Sequence, residues 1–277
     1  MDKIIDGKAY SAKLRATLKE KVEKAAVKPG LAVVLVGCDP ASQIYVRNKI
    51  KACEEVGVRS YAHYLPETAT QEEVETLLRK LAVDEEVNSI LLQLPLPKGL
   101  NAESAMACIP VEKDVDGFAA ENLGLLCLNK PGLVACTPLG VMKLLENEGV
   151  DLCGKNAVVL GRSDTVGKPM AMLLLNANAT VTVCHSKTKN LKEICKNADI
   201  LVAAIGRPKF VTADMVKDGA VVIDIGINRD ENGKICGDVD FENVKEKVSK
   251  ITPVPGGVGP MTITMLMYNA CKAAFKE

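Results

Sequence analysis

The sequence has little of what several protein classes require. Its 277 residues include no tryptophan, five tyrosines, four phenylalanines and two histidines. Two histidines argue against a histidine-based catalytic triad or a multi-histidine metal centre, so we predict no metal site. A formal net charge of zero and the scarcity of aromatic rings disfavour nucleic acid as a partner, because a basic field and stacking surfaces are both weak.

Long apolar runs and paired cysteines are also missing. The longest apolar runs, such as 89–96 and 220–227, are far shorter than the roughly 20 residues of a membrane helix, so we expect no membrane association. Acidic residues follow Met1 where a signal peptide has basic and apolar ones, so we expect the mature chain to begin near there. None of the ten cysteines forms a Cys-x-x-Cys motif, and several occupy apolar helical positions, as reduced thiols of a cytoplasmic protein do.

What is present is an ordinary globular balance and an alternation of helix and strand. At roughly 100 to 200 residues per domain, the length suits two domains. In the first 100 residues, Thr70 and Glu73 have the spacing of a capping box. The predicted elements there are a helix ending before Pro29, a strand at 31–37, a helix at 43–56, a strand at 61–65, a helix after Thr70 and a strand at 89–94. Short apolar strands between amphipathic helices predict a parallel α/β unit.

The alternation stops between residues 101 and 136 and then resumes. Thr137 and Pro138 resemble the N-cap and first residue of a helix, strands are predicted at 157–160, 179–184, 200–205 and 220–225, and a buried helix is predicted from Met261 to Phe275. We therefore expect two α/β domains with a cleft between them. The first comprises residues 1–120 and 260–277, so that the C-terminal helix packs back on it; residues 121–136 connect it to the second, residues 137–259.

A glycine-containing turn follows the strand at 157–160. Gly161-Arg-Ser163 and Gly167 lie between that strand and a predicted helix, an arrangement in which backbone amides and the helix N-terminus hold a pyrophosphate. The spacing is not Gly-x-Gly-x-x-Gly, and a plain strand-to-helix turn is the alternative. The next strand ends in His185-Ser186-Lys187 without the acid of an NAD site, so a hydroxyl and a cation there, with Arg162, favour NADP over NAD.

A second group of polar residues indicates chemistry in the first domain. Tyr45 and Lys49 are four residues apart on one helical face, Gln93 interrupts an apolar strand, and Asp116 ends a loop. Each also has a plain interpretation as a rim, strand-end or turn residue. Residues 252–262 are rich in proline and glycine, which predicts a fixed backbone that lets a ligand approach closely or, alternatively, a rigid connector.

Together these segments resemble the bifunctional methylenetetrahydrofolate dehydrogenase/cyclohydrolase family over nearly the whole chain. The matching motifs, in family order, are ASQIYVRNK at 41–49, QLPLP at 93–97, KDVDGF at 113–118, GRS at 161–163 with VGKP at 166–169, and TPVPGGVGPMT at 252–262. Thr165 departs from the isoleucine common after the Gly-Arg-Ser turn, and Ala135 from a common proline.

The resemblance implies a Rossmann-type NADP-binding second domain and two reactions. NADP oxidises 5,10-methylenetetrahydrofolate to the 5,10-methenyl cation, which is then hydrolysed to 10-formyltetrahydrofolate. It also implies tetrahydrofolate derivatives as ligands, a cytoplasmic homodimer, and a link to purine biosynthesis. The implied catalytic residues are Lys49 for proton transfer, Gln93 as its partner, Tyr45 against the folate and Asp116 on the pterin. Pro255, Gly256 and Gly257 are the implied substrate loop, and Gly161, Arg162, Ser163, Gly167, Ser186 and Ile227 the implied cofactor contacts.

Two other functions are compatible with the residues taken alone. A shikimate-type NADP dehydrogenase also joins an α/β substrate domain to a dinucleotide domain and can use a lysine and an aspartate. A nucleotide-sensing regulator without turnover is the alternative from another class, although the sequence has no basic recognition helix. The motifs at 113–118 and 252–262 favour the folate enzyme.

Overall fold

The structure, a computed structural model, describes residues 3–276. Of these, residues 13–134 and 263–276 form one compact unit, called here the first unit, and residues 3–12 and 135–262 form the second unit. Within the described range, no helix is both long enough and apolar enough to span a membrane.

A three-stranded parallel sheet forms the centre of the first unit. The elements up to residue 134 are α1 (Gly7–Lys24, whose first residues belong to the second unit), β1 (Gly30–Val36), α2 (Pro40–Val56), β2 (Arg59–Leu65), α3 (Gln71–Val83), β3 (Ser89–Leu92), α4 (Ala102–Met106) and α5 (Ala120–Cys127). The strand order is β2-β1-β3, and β1 is buried along its whole length. A central strand covered on both faces explains the unbroken apolar sequence of β1.

Local signals set the bounds of the helices in this unit. Asp39 accepts a hydrogen bond from the Ser42 backbone N–H at 2.8 Å, and Gly57 ends α2 with φ of 87°. The capping box of Thr70 and Glu73 is present at the start of α3, as predicted. These helices begin and end where side chains or a left-handed glycine satisfy the terminal backbone groups.

The aperiodic stretch before residue 136 contains helices that the sequence did not indicate. α5 overlaps the predicted connecting segment, and its inner face carries Asn122, which is 2% exposed. The Asn122 amide donates to the Val111 carbonyl and the Asp114 carboxylate at 3.0 Å each and accepts from the Leu133 N–H at 3.1 Å. A two-turn helix with a buried asparagine has no readable apolar stripe, which is why periodicity missed it.

The second unit contains a five-stranded parallel sheet. Its elements are α6 (Cys136–Asn147), β4 (Asn156–Leu160), α7 (Gly167–Asn176), β5 (Thr180–Cys184), α8 (Leu191–Lys196), β6 (Ile200–Ala203), β7 (Val221–Asp224), β8 (Asn228–Arg229), β9 (Ile235–Cys236), α9 (Phe241–Val244) and β10 (Lys250–Ile251). The strand order is β10-β7-β6-β4-β5, and β8 and β9 form a separate antiparallel pair. All pairings in this sheet are parallel, and the strand order reverses at β4, because β5 lies on one side of it and β6 on the other. The carboxyl end of β4 is therefore the switch point where such sheets bind ligands.

Two helix starts differ from the predictions. α6 begins at Cys136 instead of Pro138, because the Thr137 hydroxyl does not cap the helix and lies 2.9 Å from the Thr262 hydroxyl. The last helix, α10 (Val258–Phe275), begins three residues before Met261. Its residues from 263 onward belong to the first unit, where the Asn269 amide donates to the carbonyls of Val115 and Val134 at 2.9 and 2.8 Å. The prediction that the C-terminal helix packs back on the first domain is therefore confirmed.

Candidate active site

Lys49 and Gln93 are in direct contact in the first unit. α2 carries Lys49, and Gln93 directly follows β3, where its backbone N–H donates to the Val34 carbonyl at 2.9 Å. The Lys49 Nζ donates to Gln93 Oε1 at 3.1 Å. Gln93 Nε2 donates to the Leu94 carbonyl at 2.6 Å, so the amide is held with its oxygen toward the lysine. A half-buried amine with a fixed acceptor is suited to holding or moving a proton.

Asp116 is electrostatically coupled to this pair. Burial raises the pKa of the Asp116 carboxyl above its ordinary value, the Lys49 ammonium opposes this rise, and the Asp114 carboxylate adds to it. Asp114 is 7% exposed and accepts from the Ala119 N–H at 2.7 Å, which holds the turn that carries Asp116. The motif at 113–118 thus contains a structural acid beside the acid that the sequence singled out.

Tyr45 completes the predicted set in this unit. It lies one helical turn before Lys49 on α2, and 46% of the residue is exposed. Its ring is therefore available to a ligand. The structure brings Lys49, Gln93 and Asp116 together, with Tyr45 on the same helix as the lysine.

In the second unit, the turn after β4 packs backbone against backbone. Gly161 has φ of +122°, and a Cβ there would lie 2.2 Å from the Ala204 carbonyl oxygen; a Cβ on Gly167 would lie 2.4 Å from the Gly161 oxygen. Only glycine permits these approaches. Ser163 Oγ accepts from the N–H groups of Val166 and Gly167 at 3.2 and 3.3 Å, which caps the start of α7. The glycines therefore place a helix N-terminus beside the carboxyl end of β4.

A cavity of about 300 Å³ lies at the carboxyl ends of β4, β5 and β6. The residues that line it are Leu160, Gly161, Arg162, Cys184, His185, Ser186, Leu191, Ala204, Ile205, Arg207 and Phe210. Its volume is at the lower end of the range for small-molecule sites. Two guanidinium groups, a serine hydroxyl and a glycine turn fit a phosphorylated nucleoside, and hence one end of a dinucleotide.

The structure does not place every predicted cofactor residue in this cavity. Gly161, Arg162 and Ser186 line it. Ser163 and Gly167 lie at the start of α7, and Ile227 is 57% exposed after β7; among the described residues, these three are not part of the lining. The predicted contacts thus fall into two groups, one in the cavity and one at a helix end or sheet edge.

The proline- and glycine-rich loop has a fixed backbone in the second unit. Gly256 has φ of +106° and accepts through its carbonyl from the Lys8 N–H at 2.9 Å. A Cβ on Gly257 would lie 2.6 Å from the Pro253 carbonyl oxygen. Thr252 is buried, and its Oγ1 accepts from the Asp224 N–H at 2.7 Å. Pro255, Gly256 and Gly257 therefore belong to the second unit, whereas Tyr45, Lys49, Gln93 and Asp116 belong to the first.

Three residues near the cavity were missed by the sequence analysis. Arg207 lines the cavity, Asp238 binds the loop that carries Arg207, and Asp224 binds the segment that carries Asp238. The sequence did contain one signal for this group, an acid at the end of an apolar strand, Ile223-Asp224. Such an acid is buried, and a buried carboxylate requires hydrogen-bond donors around it. Arg207 had no local signal.

Two models of one protein family match the chain. The family model described as tetrahydrofolate dehydrogenase/cyclohydrolase, catalytic domain, matches residues 5–116, and the model described as the NAD(P)-binding domain of the same family matches residues 135–277. The bifunctional protein FolD of Campylobacter curvus is 58% identical over 275 residues, which cover 98% of this chain and 96% of that protein.

Solved structures give the same result. The crystal structure of the bifunctional enzyme FolD from Campylobacter jejuni superposes with a TM-score of 0.96 at 51% identity and covers 99% of this chain and 98% of that one. A Trypanosoma brucei methylenetetrahydrofolate dehydrogenase-cyclohydrolase, solved with NADP and an inhibitor, has a TM-score of 0.93 at 39% identity and covers 99% and 97%. The fold class and the family predicted from the motifs are confirmed. The chain belongs to the tetrahydrofolate dehydrogenase/cyclohydrolase family.

Proposed function

We propose that this chain is a bifunctional enzyme of one-carbon folate metabolism. It oxidises 5,10-methylenetetrahydrofolate to 5,10-methenyltetrahydrofolate with NADP and hydrolyses that product to 10-formyltetrahydrofolate. The observation that carries the proposal is the 3.1 Å contact between Lys49 Nζ and Gln93 Oε1 beside Asp116, in a chain of this family. The name of the Campylobacter curvus relative and the NADP in the Trypanosoma brucei structure support it.

The first reaction, a hydride transfer, requires little acid–base catalysis by the protein. NADP, when bound, accepts a hydride from the methylene carbon. The remaining cation is stabilised by the lone pairs of its two neighbouring nitrogens, so the protein's task is to orient two rings and to exclude water. Arg162 and Ser186 would hold the cofactor in the cavity, and the Gly161 and Gly167 turn would hold it at the start of α7.

The second reaction requires proton transfers, which we assign to Lys49. Lys49 Nζ accepts a proton from the water that attacks the methenyl carbon and passes it to N5 as the bond between N5 and that carbon breaks. The second proton of that water leaves to solvent as the formyl carbonyl forms. Gln93 Oε1 holds the Lys49 amine in position, because the Gln93 amide is itself bonded to the Leu94 carbonyl. Asp116 would bind the pterin, and Tyr45 would lie against the folate.

Pro255, Gly256 and Gly257 would contact the folate, since their backbone is fixed and carries little side-chain bulk. Cys38, Cys127 and Cys153 are exposed thiols, which is typical of a reducing cytoplasm. The product would supply formyl groups for purine biosynthesis.

We also propose that two copies associate as a homodimer. β2 is one of the two edge strands of the first unit's sheet, and its Tyr64 is 64% exposed. An exposed edge strand with a large apolar side chain is suited to pairing with another chain. Light scattering after size exclusion should give the mass of two chains, and Tyr64→Glu should shift it toward one. A monomeric wild type would contradict this part alone.

The activity is tested by following methenyl-folate absorbance after mixing the purified protein with 5,10-methylenetetrahydrofolate and either NADP or NAD. NADP-dependent formation of the band is expected, and Lys49→Met should abolish its hydrolysis while leaving its formation within a few-fold. Lys51→Met, an exposed lysine on the same helix, is the control and should behave like the wild type.

If the protein does not oxidise the folate, two other functions become testable. Turnover of 3-dehydroshikimate in place of the folate would favour a shikimate-type dehydrogenase. Binding of NADP without turnover of either substrate would favour a nucleotide sensor. Loss of hydrolysis in Lys51→Met as well would contradict a specific role for Lys49.

A further inference from the structure

The cofactor cavity has a second guanidinium that comes from a different strand. Arg162 follows β4, whereas Arg207 follows β6, and both line the cavity together with Ser186 at the end of β5. Residues from three adjacent strand ends thus converge there. A pair of guanidiniums with a hydroxyl is a donor set that recognises a phosphate dianion.

The backbone of the Arg207 loop is held by a buried carboxylate. Asp238 is fully buried; its Oδ2 accepts from the N–H groups of Ile205 and Gly206 at 2.6 and 3.1 Å, and its Oδ1 accepts from the Arg207 N–H at 2.9 Å. The Asn228 amide also donates to Oδ1 at 2.8 Å. Three consecutive amides on one carboxylate fix where the Arg207 side chain leaves the backbone.

The Arg207 head group is held as well. Its guanidinium carbon lies 4.6 Å from the centroid of the Phe210 ring, and Phe210 also lines the cavity. A guanidinium stacked on an aromatic ring keeps its edge donors free for a ligand. Arg207 is therefore positioned at both ends before any ligand arrives.

Position within the cavity indicates which phosphate Arg207 contacts. In dinucleotide-binding sheets the pyrophosphate sits at the helix N-terminus after the first strand, and the adenosine ribose sits at the end of the second strand. Here those places are the start of α7 and the end of β5. The cavity includes Ser186 at the end of β5, whereas the described residues 163–167 are not part of its lining. Arg207 thus shares the ribose side of the site.

The cation that the sequence favoured for this role lies elsewhere. Lys187 is exposed, its backbone N–H donates to His185 Nδ1 at 3.1 Å, and it is not among the described residues that line the cavity. We propose that Arg207, with Arg162 and Ser186, binds the 2′-phosphate of NADP and is a specificity-determining residue against NAD. The inference rests on the proposed placement of the cofactor in this cavity.

The test measures binding and turnover separately. Isothermal titration calorimetry gives the affinities for adenosine 2′,5′-bisphosphate and adenosine 5′-monophosphate. Because these ligands differ only in the 2′-phosphate, the comparison reports that contact without catalysis. Arg207→Gln should weaken the bisphosphate about ten- to a hundredfold and the monophosphate less than about threefold, and Arg207→Lys should recover part of the loss. In dehydrogenase assays, Arg207→Gln should raise the KM for NADP by a similar factor, with kcat and the KM for NAD nearly unchanged.

Two further variants make the result decisive. Lys209→Gln removes an exposed lysine of the same loop that is outside the described lining, and it should match the wild type. Lys187→Gln tests the rival cation. Equal losses for both adenosine ligands in Arg207→Gln, no loss, or a larger loss in Lys187→Gln would overturn the inference. A wild type that binds the bisphosphate through Arg207 but does not oxidise the folate would contradict the proposed function and leave this inference standing.

Discussion

The carboxylate of Asp224 accepts a hydrogen bond from the backbone N–H of Asp238 at 2.9 Å, so two buried acids share one framework of amide donors. Asp224 follows the apolar run of β7. Two glycines make the framework possible. A Cβ on Gly237 would lie 1.9 Å from Asp224 Oδ2, and a Cβ on Gly226 would lie 2.3 Å from Asp238 Oδ1. The end of β7 is thereby connected, through Asp238, to the loop that lines the cofactor cavity.

This framework predicts a pH dependence of stability. Burial raises the pKa of Asp224 from 3.8 to about 6, although hydrogen bonds from the N–H groups of Asp238 and Val239 lower it and the Asp238 charge raises it. The folded carboxyl therefore binds its proton more tightly than the unfolded one. Its contribution to stability is present below about pH 4 and is lost as the pH rises toward 6, which corresponds to about 3 kcal/mol.

Denaturant unfolding of the wild type and of Asp224→Asn at several pH values checks this. The variant loses one acceptor oxygen at all pH values, so only the pH dependence of the difference matters. We expect the difference in free energy of unfolding between wild type and variant to fall by about 2 kcal/mol between pH 4 and pH 7, because part of the total is already lost at pH 4. Asp218→Asn changes an exposed acid of the same unit and is the control. A difference that stays constant with pH would contradict the raised pKa.

The glycine turn predicts a strong steric effect at one position. Gly161→Ala adds a Cβ 2.2 Å from the Ala204 carbonyl oxygen at a positive φ, so we expect destabilisation of at least about 3 kcal/mol and loss of NADP binding. Gly154→Ala is the matched control, because Gly154 also has positive φ but a Cβ there meets no heavy atom within 4 Å. It should cost about 1 kcal/mol and leave binding intact. Similar unfolding curves for the two variants would refute the steric explanation.

The contact between Lys49 and Gln93 predicts a separation of the two activities. Gln93→Leu removes the acceptor of the Lys49 amine, so the cyclohydrolase rate should fall about ten- to a thousandfold while hydride transfer, which needs no proton donor, changes only a few-fold. Gln43→Leu, at an exposed position on α2, is the control. Stopped-flow measurement of methenyl-folate formation and decay separates the two steps. Parallel losses in both steps would mean that Gln93 acts on substrate binding.

Elements with a local cause were predictable from the sequence. The apolar run of β1 and the capping box of α3 lie within a few residues of the structure that they specify, and the predicted strand and helix formed there. The motifs around Lys49, Gln93 and Gly161 were also readable, because each is a short contiguous stretch of the sequence. These signals were sufficient for the α/β class, the family and the candidate site.

Other features were decided only by the tertiary structure. Gln93 is 44 residues from the lysine it contacts, and Asp238 is 31 residues from Arg207. Neither pairing can be predicted from local sequence periodicity. A buried carboxylate or amide forms its hydrogen bonds with whichever groups the packed strands bring to it. The helix at Ala120–Cys127 and the place of Arg207 in the cavity have the same origin. The sequence by itself determined the elements that have local signals and the residue types offered to the site, and the packing of strand ends decided which side chains share a site.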